Sequence, residues 1–283
     1  MSATRCAVLT LVRNREIHLY NLILGLRQSA CLPDELIIVR MNEPAQTLPK
    51  TPFAQRQIVL SSSATLPLAA ARNAAAQAAN SKFLIFLDVD CVPDRHCVGE
   101  YLSAQQQQPG TVLMGAVYYL QQILSINWRL NELRQQAVPH PARDPDHQQV
   151  LQPEANYSLF WTLSFGMARS RFEALGGFCS AYRGYGAEDT DFARLMEQRQ
   201  IPLRWLPTAK AYHQYHRSQT PPYQHLDSIV RNAEVYYQRW GQWPMEKWLS
   251  AFAADGLIDW QPSATQIRQL RTSLAGSADR LPQ

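Results

Sequence analysis

The sequence predicts an α/β protein in which helices cover both faces of a sheet. Short apolar runs at residues 6–12 and 82–87 have the length and composition of strands that are buried on both faces. Apolar residues recur at helical spacing over residues 17–28, and residues 67–80 are rich in alanine, the best helix former. Strands that alternate with helices in this way are typical of parallel sheets.

Further elements continue this alternation along the chain. We predict strands at residues 35–39, 57–60 and 202–206, and a strand-like segment at residues 157–168. The spacing of apolar residues predicts a helix over residues 188–200.

A short helix is predicted after the strand-like segment. The sequence Ser-Arg-Phe-Glu at residues 170–173 fits a capping box, in which the first and last side chains satisfy backbone donors at a helix start. Gly176 and Gly177 would end this helix, because glycine readily adopts the left-handed conformation found there.

The composition divides the chain into a main domain, an insertion and an extension. Residues 121–155 are rich in Gln, Pro and His, and three prolines within residues 139–145 exclude a helix or central strand there. We therefore predict a surface insertion, with a helix over residues 123–136, inside a domain of residues 1–220. Residues 221–283 would form a C-terminal helical extension, in which four tryptophans are more often packing anchors than a surface for partners or lipids.

Charge and cysteine content exclude several classes of protein. The 27 Lys and Arg residues exceed the 23 Asp and Glu residues by only four and are scattered, which disfavours nucleic-acid binding. The five cysteines form no Cys-x-x-Cys pair, which argues against a disulfide scaffold or a cysteine zinc site and suits the cytoplasm. No apolar segment approaches the roughly 20 residues that a membrane-spanning helix needs.

Two carboxylates follow the most apolar predicted strand. Asp88 and Asp90 are separated by one residue, so the chain must turn at Asp88 if both side chains are to act together. Ligands of open α/β sheets bind beyond the carboxyl ends of the strands. Carboxylates there could hold Mg²⁺ or Mn²⁺. A solvated polar cap on the strand is the alternative interpretation.

A glycine-rich loop leads three acids into a helix. The sequence Gly-Tyr-Gly-Ala precedes Glu188, Asp189 and Asp191, and acids in a first turn are favoured by the helix dipole alone. Helix capping does not require Tyr185 between two glycines, however. An aromatic ring beside carboxylates is what sugar binding calls for, through stacking and hydrogen bonds to hydroxyl groups.

Two histidines follow the strand predicted at residues 202–206. His213 and His216 could bind a transition metal, although a lone histidine is more often a structural residue. A His-Glu-x-x-His zinc site is absent from the sequence, as are a Gly-x-x-x-x-Gly-Lys phosphate loop and a Gly-x-Gly-x-x-Gly motif after the first strand. Zinc hydrolases, P-loop kinases and nicotinamide dehydrogenases are therefore disfavoured.

Taken together, these motifs resemble the inverting GT-A glycosyltransferases of family 2. The block from Gly-Gly-Phe at residue 176 to Glu-Asp-Thr-Asp-Phe at residue 192 resembles the C-terminal galactosyltransferase-like region, shared with β-1,4-galactosyltransferases and chondroitin-polymerase-type enzymes. The resemblance covers residues 6–216. It departs from the family pattern at Ala187, where relatives have glycine, at Tyr185, where they have tryptophan, and in the Leu-Val-Arg-Asn end of the first strand.

The resemblance implies a GT-A fold, which is a Rossmann-like mixed sheet flanked by helices. It also implies a nucleotide-sugar donor carrying UDP, Mn²⁺ or Mg²⁺ as cofactor, and a role for each motif residue. Asp90 would bind the metal, with His213 as the other protein ligand and His216 as a second choice. Asp189 would be the catalytic base. Glu188 and Tyr185 would orient the acceptor and donor sugars. The nucleotide would be bound by Thr10, Arg13, Arg72 and Asp88.

The reaction implied is transfer of a hexose or N-acetylhexosamine to a glycan or lipid-linked hydroxyl, with inversion. Asp191 stays open as a second acid that would permit a retaining route. Two other functions stay open: a carbohydrate-binding protein without activity on the same scaffold, and a nucleotidyltransferase or phosphohydrolase. A lipid-linked acceptor would bring peripheral contact with a membrane, which co-sedimentation with liposomes would test.

Overall fold

A computed structural model describes residues 5–64, 66–125, 127–140, 151–217 and 219–271. Its strands are β1 Cys6–Val12, β2 Glu35–Met41, β3 Ala54–Leu60, β4 Phe83–Leu87, β5 Cys91–Pro93, β6 Val112–Leu120, β7 Ala137–Pro139, β8 Gln152–Pro153, β9 Ser164–Ala168, β10 Leu203–His213, β11 Ile258–Asp259 and β12 Arg268–Gln269. Its helices are α1 Glu16–Arg27, α2 Leu68–Ala78, α3 Cys97–Gln107, α4 Leu130–Gln136, α5 Arg169–Leu175, α6 Glu188–Gln198, α7 Leu226–Trp240 and α8 Glu246–Ala254.

The main sheet is mixed, with the strand order β3-β2-β1-β4-β9-β6-β10-β5. The pairs β2/β3, β1/β2 and β1/β4 are parallel, as the alternation of strands and helices predicted. Strand β9 is antiparallel to both β4 and β6, and it joins the parallel β1–β4 half to the parallel pair β6/β10. The predicted mixed sheet flanked by helices is thus confirmed.

Apolar side chains fill both faces of this sheet. One buried cluster joins the sheet to α2, α5 and α6, and the other joins it to α1 and α3. Strands β1, β2 and β4 are buried along their whole length, which explains why they are continuous apolar runs rather than alternating ones.

Three local predictions were wrong. The segment predicted as a strand at 157–168 starts with a 3₁₀ turn at Tyr157–Leu159, because the Asn156 side chain accepts a hydrogen bond from the backbone N–H of Ser158. The helix predicted at 123–136 is confined to α4. The predicted capping box is absent because α5 follows β9 directly, which places Ser170 inside the helix; Gly176 does end it in the left-handed conformation.

The segment predicted as an insertion is tied to the sheet where the structure describes it. Strands β7 and β8 pair with β6 and β10. Arg134 on α4 donates two hydrogen bonds to Asp94, at 2.8 and 2.9 Å, and Tyr212 on β10 donates a third. The predicted loop between residues 139 and 145 lies largely outside the described residues.

Helices α7 and α8 form a small core of their own. Trp243 and Trp260 are buried there beside Phe252, so these tryptophans pack as the sequence predicted. In the part of the chain that the structure describes, no helix is long and apolar enough to cross a membrane.

Candidate active site

The two aspartates lie on a tight turn between β4 and β5. The backbone N–H of Cys91 donates to the carbonyl oxygen of Asp88 at 2.8 Å, and β5 begins at Cys91. The turn that the Asp-x-Asp spacing required is therefore present. It places Asp88 and Asp90 beyond the carboxyl end of β4, where β10 also ends.

Asp90 and both histidines meet at this edge of the sheet. The Nε2 atom of His213 lies 3.5 Å from Oδ1 of Asp90, and Nε2 of His216 lies 3.3 Å from Oδ2. One ligand atom from each of the three residues lies within 4.8 Å of the others. The sequence ranked His213 ahead of His216, whereas the structure brings both histidines to the same carboxylate.

The surrounding charges favour an ionised Asp90, whereas burial favours a neutral His213. Burial alone would raise the pKa of Asp90, but His213, His216 and Arg15 outweigh it and hold that pKa well below its usual range. Arg15 Nη1 is 3.5 Å from Asp90 Oδ2. Burial lowers the pKa of His213, against the opposing effect of Asp90. A carboxylate and a neutral imidazole are the forms that bind metals.

Arg72 connects Asp88 to the start of α6. Its guanidinium donates to Glu188 Oε1 at 2.9 Å and to Thr162 Oγ1 at 2.7 Å, and it lies 3.7 Å from Asp88 Oδ1. The pKa of Asp88 is raised to about 7, mainly by burial and also by the charges of Asp90, Glu188 and Asp189, against the lowering effect of Arg72. The loop after β4 and the first turn of α6 therefore belong to one electrostatic site.

The acids of the first turn of α6 differ in their surroundings. Asp189 is partly exposed, and its Oδ1 accepts from the backbone N–H of Thr190 at 2.8 Å. Asp191 is buried, and its Oδ1 accepts from the side chains of Tyr182, Arg239 and Trp240. Since these donors engage Asp191 away from solvent, Asp189 is the acid that a substrate can reach.

The loop before α6 is held by helix α7. Asn232 on α7 is buried, accepts from the backbone N–H of Arg183 at 3.1 Å, and donates to the carbonyl oxygens of Tyr185 and Gly186 at 3.2 and 2.9 Å. The Tyr185 ring stacks on His225 with centroids 4.6 Å apart. One face of the ring predicted to stack on a sugar is thus in contact with the protein itself.

Ala187, the residue before α6, adopts a left-handed conformation with φ of 69°. A Cβ there costs roughly 1–2 kcal/mol. Ala187→Gly is therefore expected to raise the free energy of unfolding by about 0.5–1 kcal/mol. The gain is smaller than the strain it removes, because glycine loses more conformational entropy on folding than alanine does. Urea denaturation would measure it. Ala74→Gly within α2 is the matched control and should destabilise the protein; an equal loss in both variants would contradict strain at Ala187.

Of the remaining predicted nucleotide contacts, Thr10 and Arg72 are buried and Arg13 is partly exposed. Thr10 on β1 is 1% exposed, and its hydroxyl has no hydrogen-bond partner among the described residues. Arg72 is 4% exposed. Arg13 is partly exposed and follows β1 directly. Sequence reasoning missed Arg15, although its place two residues after Arg13 in the same loop was a usable signal.

The comparison with known families supports the resemblance seen in the sequence. The protein-family model described as glycosyl transferase family 2 matches residues 7–176, which is more than half of the chain. The chain belongs to glycosyl transferase family 2. A second model, described as the N-terminal domain of galactosyltransferase, matches residues 147–217 and so includes the Gly-Tyr-Gly-Ala-Glu-Asp loop and both histidines of this family member. No curated protein sequence matches the chain significantly.

Solved glycosyltransferase structures share the fold. The 1–349 fragment of TarS from S. aureus is 15% identical with a TM-score of 0.56, and the match covers 81% of this chain and 64% of that one. GalNAc-T7, solved with UDP, GalNAc and Mn²⁺, is 14% identical with a TM-score of 0.53, covering 84% and 51%. The TarS fragment has also been solved with UDP-GlcNAc, at 11% identity, a TM-score of 0.56, and coverage of 76% and 60%. The chain therefore spans half to two thirds of these chains, and the predicted GT-A fold is confirmed.

Proposed function

We propose that this family 2 protein is a metal-dependent inverting glycosyltransferase. It would move a hexose or N-acetylhexosamine from a UDP-sugar to a hydroxyl group of a glycan or lipid-linked acceptor. The observation that carries the proposal is the meeting of Asp90, His213 and His216 beside a second group of acids that includes Asp189.

The residues at this edge fit a divalent cation. One ionised carboxylate and two imidazoles converge within 4.8 Å, and burial keeps His213 in its neutral form. Imidazole ligands favour Mn²⁺ over Mg²⁺, which prefers oxygen ligands and retains its waters. When bound, such a cation would stabilise the charge that develops on the departing nucleoside diphosphate.

Asp189 is proposed as the catalytic base. It is the accessible acid of the first turn, and it would accept the proton from the acceptor hydroxyl as that oxygen attacks the sugar. Proton transfer to a carboxylate helps only when the reacting groups are well positioned. One base opposite the leaving group gives inversion, and the buried, engaged Asp191 disfavours a second acid for a retaining route.

The other residues are proposed to bind and orient substrates. Asp88 would face the ribose, and Arg72 would act by holding Asp88 and Glu188 in place, as its hydrogen bonds and low exposure suggest. The remaining proposed contacts are Arg13 and the β1 end at Thr10 to the nucleotide, and Tyr185 and Glu188 to the sugars.

Location and acceptor remain predictions from the sequence. The five cysteines all lie in the described part of the chain and are free, which suits the reducing compartment that the sequence predicts. Peripheral contact with a membrane, if the acceptor is lipid-linked, would be tested by co-sedimentation with liposomes.

A donor screen would test the proposal. We expect UDP-sugars, including UDP-GlcNAc and UDP-GalNAc, to raise the melting temperature only when Mn²⁺ is present, because a ligand of the native state stabilises it. A panel of glycan acceptors should then release UDP. Release of pyrophosphate or a monophosphate would indicate a nucleotidyltransferase or phosphohydrolase. Donor binding without transfer or donor hydrolysis would favour a carbohydrate-binding protein.

A further inference from the structure

A buried chain of polar side chains lies behind the two histidines. Gln214, which stands between His213 and His216, is 3% exposed. Its Oε1 atom accepts a hydrogen bond from Nδ2 of Asn21 at 2.7 Å. Oδ1 of Asn21 in turn accepts one from Nε1 of Trp128 at 2.9 Å. Asn21 and Trp128 are 7% and 8% exposed, so water does not compete for these bonds.

Gln214 also bonds to the two segments that face the histidines. Its backbone N–H donates to the carbonyl oxygen of Asp90 at 2.7 Å, and its Nε2 donates to the carbonyl oxygen of His18 on α1 at 3.0 Å. Strand β10 ends at His213, so regular strand pairing does not fix the residues that follow. The hydrogen bonds of Gln214 hold this segment instead of strand pairing, and they join it to Asp90 and α1.

We propose that Gln214 is a positioning residue, which holds His213 and His216 against Asp90 through Asn21 and so strengthens divalent-cation binding. The inference rests on the metal site of the proposed function. Groups that fix the orientation of metal ligands typically change metal affinity about 10–100-fold when removed. Gln214 suits this role because both ends of its side-chain amide and its backbone N–H are engaged, and because the backbone bond joins the histidine segment to Asp90 itself.

Asn73 on α2 provides a matched control for a purely structural role. Its Nδ2 donates to the carbonyl oxygen of Phe178 at 2.7 Å, and its Oδ1 accepts from the N–H of Phe178 at 2.8 Å. Asn73 thus bridges two segments with both ends of its amide, as Gln214 does, but it does not bond to the histidine segment. Its removal should lower stability and leave cation affinity unchanged.

The test is calorimetric titration of the full chain with Mn²⁺ in the absence of donor, supported by electron paramagnetic resonance of free Mn²⁺. Gln214→Ala should weaken Mn²⁺ binding about 10–100-fold. Asn21→Ala should also weaken it, and the double variant should bind no more weakly than Gln214→Ala, since the two residues act as one unit. Asn73→Ala should bind as the wild type does.

Two results would overturn the role of Gln214. One is wild-type Mn²⁺ affinity in folded Gln214→Ala or, should that variant not fold, in Asn21→Ala. The other is an equal loss of affinity in Asn73→Ala, which would show a general effect of instability. A wild-type protein that binds no Mn²⁺ would instead contradict the metal site itself, so the failures of the two proposals are distinguishable.

Discussion

Asp189→Asn is expected to reduce transfer by about 10²–10⁴-fold, the usual contribution of a general base, while leaving donor and Mn²⁺ binding unchanged. The amide is nearly the same size as the carboxylate but cannot accept the acceptor's proton. Because Asp189 is partly exposed, the substitution adds no buried unpaired group. Initial rates of UDP release at saturating donor, with donor affinity by calorimetry, would measure both quantities.

Asp34→Asn is a matched control for this substitution. Asp34 lies at the opposite end of the sheet, where it accepts from the backbone N–H of Cys6 at the start of β1. This variant should transfer sugar at the wild-type rate. Retention of full activity in Asp189→Asn would assign the base to another residue, and equal losses in the two variants would point to destabilisation rather than chemistry.

Asp90→Asn is expected to weaken Mn²⁺ binding by more than roughly 100-fold. That is the upper end of the loss expected when a residue that only orients a metal ligand is removed, whereas this substitution removes the anionic ligand itself. Metal-dependent transfer should fall with it. His213 and His216 remain, so residual binding at high Mn²⁺ concentration is expected. Calorimetric titration with Mn²⁺ and the Mn²⁺ dependence of UDP release would measure the two effects.

Asp88→Asn separates the metal ligand from its neighbour on the same turn. The Asp88 carboxylate faces Arg72 at 3.7 Å and is not one of the three clustered ligands. This variant should keep Mn²⁺ affinity within a few-fold of wild type and raise the KM of the donor. If Asp88→Asn lost Mn²⁺ binding and Asp90→Asn kept it, the assignment of the two carboxylates would be reversed.

The sequence predicted the parallel half of the fold because three of its four strands are buried along their whole length. Strands β1, β2 and β4 stand out as apolar runs for this reason. The mixed character of the sheet followed only from the family resemblance, since no local pattern shows that β9 pairs antiparallel with both β4 and β6. The helix start at Arg169 was misplaced because capping residues suggest a boundary that the pairing of β9 overrides.

In the candidate site, too, some residues could be predicted from the sequence and others only from the structure. Asp90, His213 and Asp189 stand in recognisable motifs, so their types and spacing could be interpreted without a structure. Gln214 and Asn232 could not be found in this way, because their roles depend on hydrogen bonds to distant segments. The burial of Thr10 and Arg72 could not be predicted either, because a motif shows which residue is present and not how deeply its side chain is buried.

The most direct test of the central claim is a crystal structure of the protein with Mn²⁺ and UDP, with anomalous scattering used to locate the metal. We expect one anomalous peak, from a Mn²⁺ ion bonded to Asp90, His213 and His216. This ion should contact the diphosphate and lie on the same side of the sheet as Asp189. UDP bound with no metal at these three residues, or a metal bound elsewhere, would contradict the proposed site.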